Sequence, residues 1–199
     1  MSAALVRAAL KEWAVVCRAL RDGRQTLLIR KGGILEVKRG FEVVHREFWL
    51  VPTYVHQSAR DLVPEVEAEF GEAQASQPTD GFLDLDLYAQ VTDEVKVTDL
   101  DRLQALAGLH VLSANCVASR FHYRSRPGAH VLVLRVFRRP APVRVPNTPG
   151  YDGCISWVEL DQPLDTEGLT PVLPAAAFEA RRREVLDRLA AAPAPSAPR

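Results

Sequence analysis

Between Arg102 and Tyr151 the chain has no aspartate or glutamate, while it carries Arg102, Arg120, Arg124, Arg126, Arg135, Arg138, Arg139 and Arg144. The stretch before it is the reverse: from Asp61 to Asp101 twelve acidic residues face one basic residue, Lys96. A net charge of zero therefore hides a segregation along the chain. Two outcomes are open. The blocks neutralise each other in space, or the arginine block makes a positive field suited to an anionic partner.

Cysteine is scarce. Cys17, Cys116 and Cys154 are far apart and odd in number, with no CxxC, so neither a zinc knuckle nor a disulfide framework is indicated. They read as reduced, largely buried thiols. No apolar run approaches the roughly 20 residues that span a bilayer. The N-terminus lacks the uninterrupted apolar core of a signal peptide, since Arg7, Lys11 and Glu12 break it. A cytoplasmic location and no membrane partner are expected. There is also no Walker A loop, GxGxxG, nucleophile elbow or HExxH, and no cofactor is expected.

What is present fits a globular domain: 199 residues, 47% hydrophobic and 25% charged. Residues 5–22 place Leu5, Ala9, Trp13, Val16, Cys17 and Leu20 at helical spacing, with Gly23 as a stop. TLLIRK (26–31) reads as a strand, and 34–51 as one broken strand or two meeting at Gly40, ended by Pro52. Residues 59–75 fit a helix or a loop. In LDLDLYAQV, Leu83, Leu85 and Leu87 alternate with Asp84, Asp86 and Tyr88, a half-buried strand. Thr98 or Asp99 caps a helix stopped at Gly108. HVLVLRVFRRP is a strand ending at Pro140, CISWVELD is another, and 173–192 is a helix with Phe178, Val185, Leu186 and Leu189 on its apolar face. These elements predict an α+β fold: a curved, mostly antiparallel sheet or small barrel with N- and C-terminal helices packed on it. One domain spans 1–192, and 193–199 is a disordered Pro/Ala-rich tail.

Two stretches carry candidate sites. FEVVHREFWLVPTYVHQ (41–57) puts His45 and Glu47 on one strand face and Arg46 on the other, with Tyr54, His56 and Gln57 following. A strand buried on both faces tolerates such residues only if they are paired, or if they form a pocket floor. His45, Glu47 and His56 also offer metal-ligand chemistry, though at no defined spacing, and a hydrogen-bonded polar cluster explains them more simply. SRFHYRSR (119–126) interleaves Arg120, Tyr123 and Arg124 with aromatics, as phosphate forks and base-stacking faces do; a strand with Phe121 and Tyr123 buried explains it equally well. A weaker pattern, Glu36-Val37-Lys38 with Glu12 and Asp22 upstream, is shared with metal-dependent nucleases of the PD-(D/E)xK type, but arises often by chance on a solvated strand.

ALKEWAVVCRAL (9–20), LLIRKGGI (27–34), FEVVHREFWLVPTYVHQ (41–57) and TPGYDGCISWVEL (148–160), with Arg120-Phe121 and Arg135 fitting, together resemble the bacterial and archaeal domain-of-unknown-function family numbered 1802. The resemblance implies an accessory role in restriction–modification, because the domain can be fused to an Mrr-like nuclease domain. It carries no catalytic residue, and the chain length leaves no room for such a nuclease domain. The helix-turn-LLIRK opening and the SWVEL strand are also similar to PUA-like (ASCH and EVE) domains, small barrels whose pocket reads RNA or modified DNA bases.

The expectation is a non-catalytic DNA- or RNA-binding module, able to read a modified base and to act beside a nuclease partner protein. Its site residues would be Arg30, His45, Arg46, Glu47, Tyr54, His56, Arg120, Tyr123, Arg124 and Arg135. The alternatives are a metal-dependent nuclease using Glu36 and Lys38, and a structural protein without a ligand pocket.

Overall fold

The computed structural model describes residues 4–31, 43–123, 127–151, 153 and 155–191. Among them, seven strands form one mixed, mostly antiparallel sheet in the order β2-β5-β4-β3-β1-β6, with β7 paired to β5. The strands are β1 (Leu5–Trp13), β2 (Leu27–Arg30), β3 (Glu47–Thr53), β4 (Phe82–Val97), β5 (Ala129–Pro146), β6 (Trp157–Asp165) and β7 (Thr170–Pro171). Five helices accompany them: α1 (Ala14–Arg21), α2 (Glu67–Ala75), α3 (Leu100–Gln104), α4 (Ala114–His122) and α5 (Ala175–Ala191). Among the described residues, β1 and β3 are the parallel pair, in register from Ala9 opposite Trp49 to Trp13 opposite Thr53.

The expected α+β class and mostly antiparallel sheet hold, but the expected helix over 5–22 is half strand. Residues 5–13 form β1, between β3 and β6, and only 14–21 are helical. The cause is burial on both faces: Leu10 packs in one core and its neighbour Ala9 in another. An element buried all round loses the one-sided periodicity that separates strand from helix. Sheet pairing then overrides the helix propensity of an Ala-rich segment.

The larger core lies on the face covered by the helices, and includes Leu10, Val15, Leu20, Phe48, Leu50, Leu132, Leu134 and Phe178. The smaller core, on the other face, gathers Ala9, Trp49, Val51, Leu85, Tyr88, Phe137 and Tyr151. The alternation predicted for β4 fails at Asp86. Leu85 pairs with Val143 but Leu87 with Arg138, so β5 bulges over 139–142. Leu87 thereby joins the larger core while Leu83 and Leu85 stay in the smaller one. The bulge also explains why β5 runs through Pro140 instead of ending there, since a proline is tolerated where ladder bonds are already lost.

SRFHYRSR begins as the last turn of α4; of the two aromatics that a strand reading would bury, Phe121 is buried and Tyr123 is exposed. In 59–75, two short 3-10 turns precede α2. Asp99 caps α3 through the Asp101 N–H. On α5, Phe178, Val185 and Leu189 are buried. Among the described residues, no helix is long and apolar enough to cross a membrane.

Candidate nucleic-acid interface

The parallel strands β1 and β3 end side by side, and β2 ends close to them through the side chain of Arg30. A cavity of about 760 Å³ opens there. Its wall takes Lys11, Glu12 and Trp13 from β1, Arg30 from β2, Pro52 and Thr53 from β3, and Arg120 from α4. Tyr54, Val55, His56, Asp61, Phe82, Tyr123 and Tyr151 are also among its lining residues.

Glu12 is the buried anchor. One carboxylate oxygen accepts the Trp13 backbone N–H at 2.9 Å, and the other accepts from Arg30 at 2.8 Å. The Glu12 side chain is 1% exposed and that of Arg30 13%. Such an ion pair is sustained only by good geometry and extra hydrogen bonds; here Arg30 also donates to the Lys11 carbonyl at 3.2 Å. Arg120 donates to the Ile29 carbonyl at 2.7 Å and lays its guanidinium over the Trp13 ring, 4.5 Å from the centroid. No carboxylate among the described residues forms a salt bridge with it. Lys11 donates to the carbonyls of Tyr151 and Gly153, and Lys31 to those of Phe121 and Gly128. Carbonyl bonds of this kind fix the position of a cation.

Burial pushes the Cys116 thiol and the Tyr54 phenol up, so both stay protonated at neutral pH. A protonated thiol is a weak nucleophile. Burial, and then Lys96, lowers the Lys31 ammonium. His56 sits on the wall with φ 59°, in the left-handed region that few non-glycine residues adopt.

Of the residues singled out in the sequence, Arg30, Tyr54, His56, Arg120 and Tyr123 therefore share one concavity. His45, Arg46, Glu47 and Arg135 do not line it. His45 meets Trp157 edge-on at 5.4 Å, and Arg46 is exposed with Glu94 4.0 Å away. Glu47 accepts from the Tyr88 hydroxyl at 2.9 Å and Gln90 at 3.0 Å. Arg135 lies against Phe178, 4.8 Å from its centroid, beneath α5. His45, Glu47 and His56 thus have separate surroundings, and no group of three or more metal-ligating side chains is placed to hold a metal among the described residues. Arg124, Glu36, Lys38 and Cys154 lie outside the described residues. Of the upstream acids, Glu12 precedes α1 and Asp22 follows it, at opposite ends of the eight-residue helix.

The segregated charges intermix in part. Arg144 pairs with Asp80, and His130 with Glu94 at 3.0 Å. Four other acids of the 61–101 block pair outside the arginine-rich stretch: Glu69 with Arg24, Glu72 with Arg18, Asp86 with Arg21, and Asp93 with Arg182.

Lys11, Trp13 and Thr53 were not legible as cavity-lining residues, and Glu12 stood out only as an upstream acid of the nuclease-like pattern. A helical reading of 5–22 spreads them around a cylinder, whereas the strand end delivers them to one mouth.

A family model matches residues 9–184, most of the chain and all of the strand ends that build this cavity. The chain belongs to the DUF1802 family, a domain of unknown function. No curated protein matches it. This DUF1802 chain is similar to the ASCH protein from Zymomonas mobilis in its crystal structure, with 15% identity and a TM-score of 0.40 over 90% of this chain and 93% of that one. It is also similar to a serine-to-alanine mutant of that protein, with 13% identity and a TM-score of 0.43 over 88% and 94% of the two chains.

Proposed function

We propose that this DUF1802 chain is a non-catalytic nucleic-acid-binding module whose cavity receives a nucleobase, a modified one included. The observation that carries this reading is the stack of Arg120 on Trp13 beside the Arg30–Glu12 pair, inside a cavity of about 760 Å³. A flat aromatic wall suits a base, fixed guanidinium groups suit the attached phosphate, and the volume falls in the range of small-molecule sites. The protonated thiol and the dispersed carboxylates favour binding over reaction. Arg30, Tyr54, His56, Arg120 and Tyr123 act in this site, while His45, Arg46, Glu47 and Arg135 serve the sheet and its helix. Action beside a nuclease partner protein, in cytoplasmic restriction–modification, is the setting that the family resemblance favours.

The test is binding of dye-labelled single-stranded DNA and RNA by fluorescence anisotropy across a salt series. Binding that weakens steeply with salt, and falls by roughly tenfold in Arg120→Ala, is expected. Absence of binding to either polymer at low salt overturns the reading.

A further inference from the structure

Five large apolar side chains are substantially exposed among the described residues: Leu5, Val44, Val55, Phe82 and Tyr123. Three of them, Val55 at 63%, Phe82 at 39% and Tyr123 at 41%, line the one cavity described above. They come from three separate places: the loop after β3, the first residue of β4 and the C-terminal cap of α4. Nothing in secondary structure requires apolar groups at all three, and each is left in contact with water at a cost. Scattered exposed apolar residues need no explanation, but a ring of them around a mouth marks a surface that is covered when the molecule works.

Their neighbours indicate what covers it. Arg144, which also pairs with Asp80 at the surface, lies over the Phe82 ring, 5.0 Å from the centroid, and Tyr123 is three residues from Arg120 on the same helix end. Aromatic rings with guanidinium groups beside them are the surface on which successive bases of a single strand stack while the phosphates pass the cations. A free nucleotide would fill the cavity and leave this rim wet.

We infer that the ligand is a single-stranded segment rather than a free nucleotide, with one base in the cavity and its two neighbours stacked on Phe82 and Tyr123 at the mouth. This rests on the reading of the cavity as a base pocket. The strand runs across the mouth, with Val55 packing against the sugar of the inserted nucleotide.

The experiment compares a nucleoside monophosphate, the matching trinucleotide and a blunt duplex of twelve base pairs, in DNA and RNA forms, by isothermal titration with wild type, Phe82→Ala and Tyr123→Ala. The trinucleotide is expected to bind more tightly than the monophosphate by on the order of a hundredfold. Phe82→Ala should remove about tenfold of that gain while leaving monophosphate affinity unchanged, and Tyr123→Ala should weaken the trinucleotide by about tenfold more than it weakens the monophosphate. The duplex should bind more weakly than the trinucleotide. Added phosphate charge alone would tighten the trinucleotide without making it sensitive to either substitution, and that result overturns the inference. So does a trinucleotide no tighter than the monophosphate, or a duplex that binds as well. If the monophosphate binds and the trinucleotide gains nothing, the base pocket stands and the rim assignment falls. If neither binds, both fall.

Discussion

Glu12 and Arg30 meet at 2.8 Å where the end of β1 faces the end of β2, across the eight-residue helix that separates them in the chain. Glu12 also accepts the N–H of Trp13, the residue at which strand becomes helix. One carboxylate thus fixes the strand-to-helix turn, the guanidinium on the cavity wall and the backbone that aims the Trp13 ring. Replacing Glu12 by Ala leaves Arg30 buried without its counter-ion and should cost about 3–5 kcal/mol in denaturant unfolding. Glu12→Gln keeps the shape and one acceptor, and should cost less, about 1–3 kcal/mol.

His110 gives a pH signature. It is 6% exposed, and its Nδ1 accepts the Leu112 N–H at 3.2 Å. Burial, with the nearby Arg120 charge, lowers its pKa to about 4. The folded state therefore holds the imidazole neutral while the unfolded chain protonates it near 6.5. This contribution is complete above pH 6.5 and is lost as pH falls from 6.5 to about 4, amounting to about 3 kcal/mol. Urea melts across that window should show stability falling with acid. The slope should flatten in His110→Gln.

Asp86, at the β4–β5 bulge, is 5% exposed and bonds Arg21 of α1 at 2.6 Å. Burial raises its carboxyl pKa, and Arg21 partly offsets that. Arg21→Ala should raise it further and destabilise the protein at neutral pH by about 1–3 kcal/mol, a figure held down because the arginine is 42% exposed. A raised carboxyl pKa costs stability above it, so the deficit should shrink as acid protonates Asp86. Thermal melts of the variant at neutral and acidic pH check this.

Gly23 ends α1 with φ 68°, and a Cβ there would lie 2.7 Å from Cδ2 of Leu173. Gly23→Ala combines a left-handed backbone with that close approach. It should lower stability by about 1–3 kcal/mol, read as a shift in the denaturation midpoint.

Residues whose surroundings are one-sided were readable in the sequence. Asp99 declared the start of α3, and the valine- and leucine-rich run 131–136 declared β5. Phe178, Val185 and Leu189 showed the buried face of α5. Arg30, Tyr54, His56, Arg120 and Tyr123, which line the cavity, stood out in the sequence because polar and aromatic groups contrast with apolar strands and helix ends. Glu47 and His45 stood out for the same reason, yet they serve the sheet: Glu47 bonds Tyr88 and Gln90, and His45 packs on Trp157. Polarity on a strand signals that a partner exists, without telling a cross-strand neighbour from a ligand.

Composition and local pattern determined the α+β class, most of the strands and the terminal helix, because those depend on neighbours within a few residues. The tertiary structure alone decided that 5–13 is a central strand, since an element buried on both faces has no amphipathic period to read. It alone decided that Leu87 changes core at the Asp86 bulge, because a register shift depends on the partner strand. And it alone brought Lys11, Glu12, Trp13, Arg30 and Arg120 to one mouth, because parallel pairing of β1 with β3 sets which strand ends coincide, and pairing is a long-range choice that no short window of sequence contains.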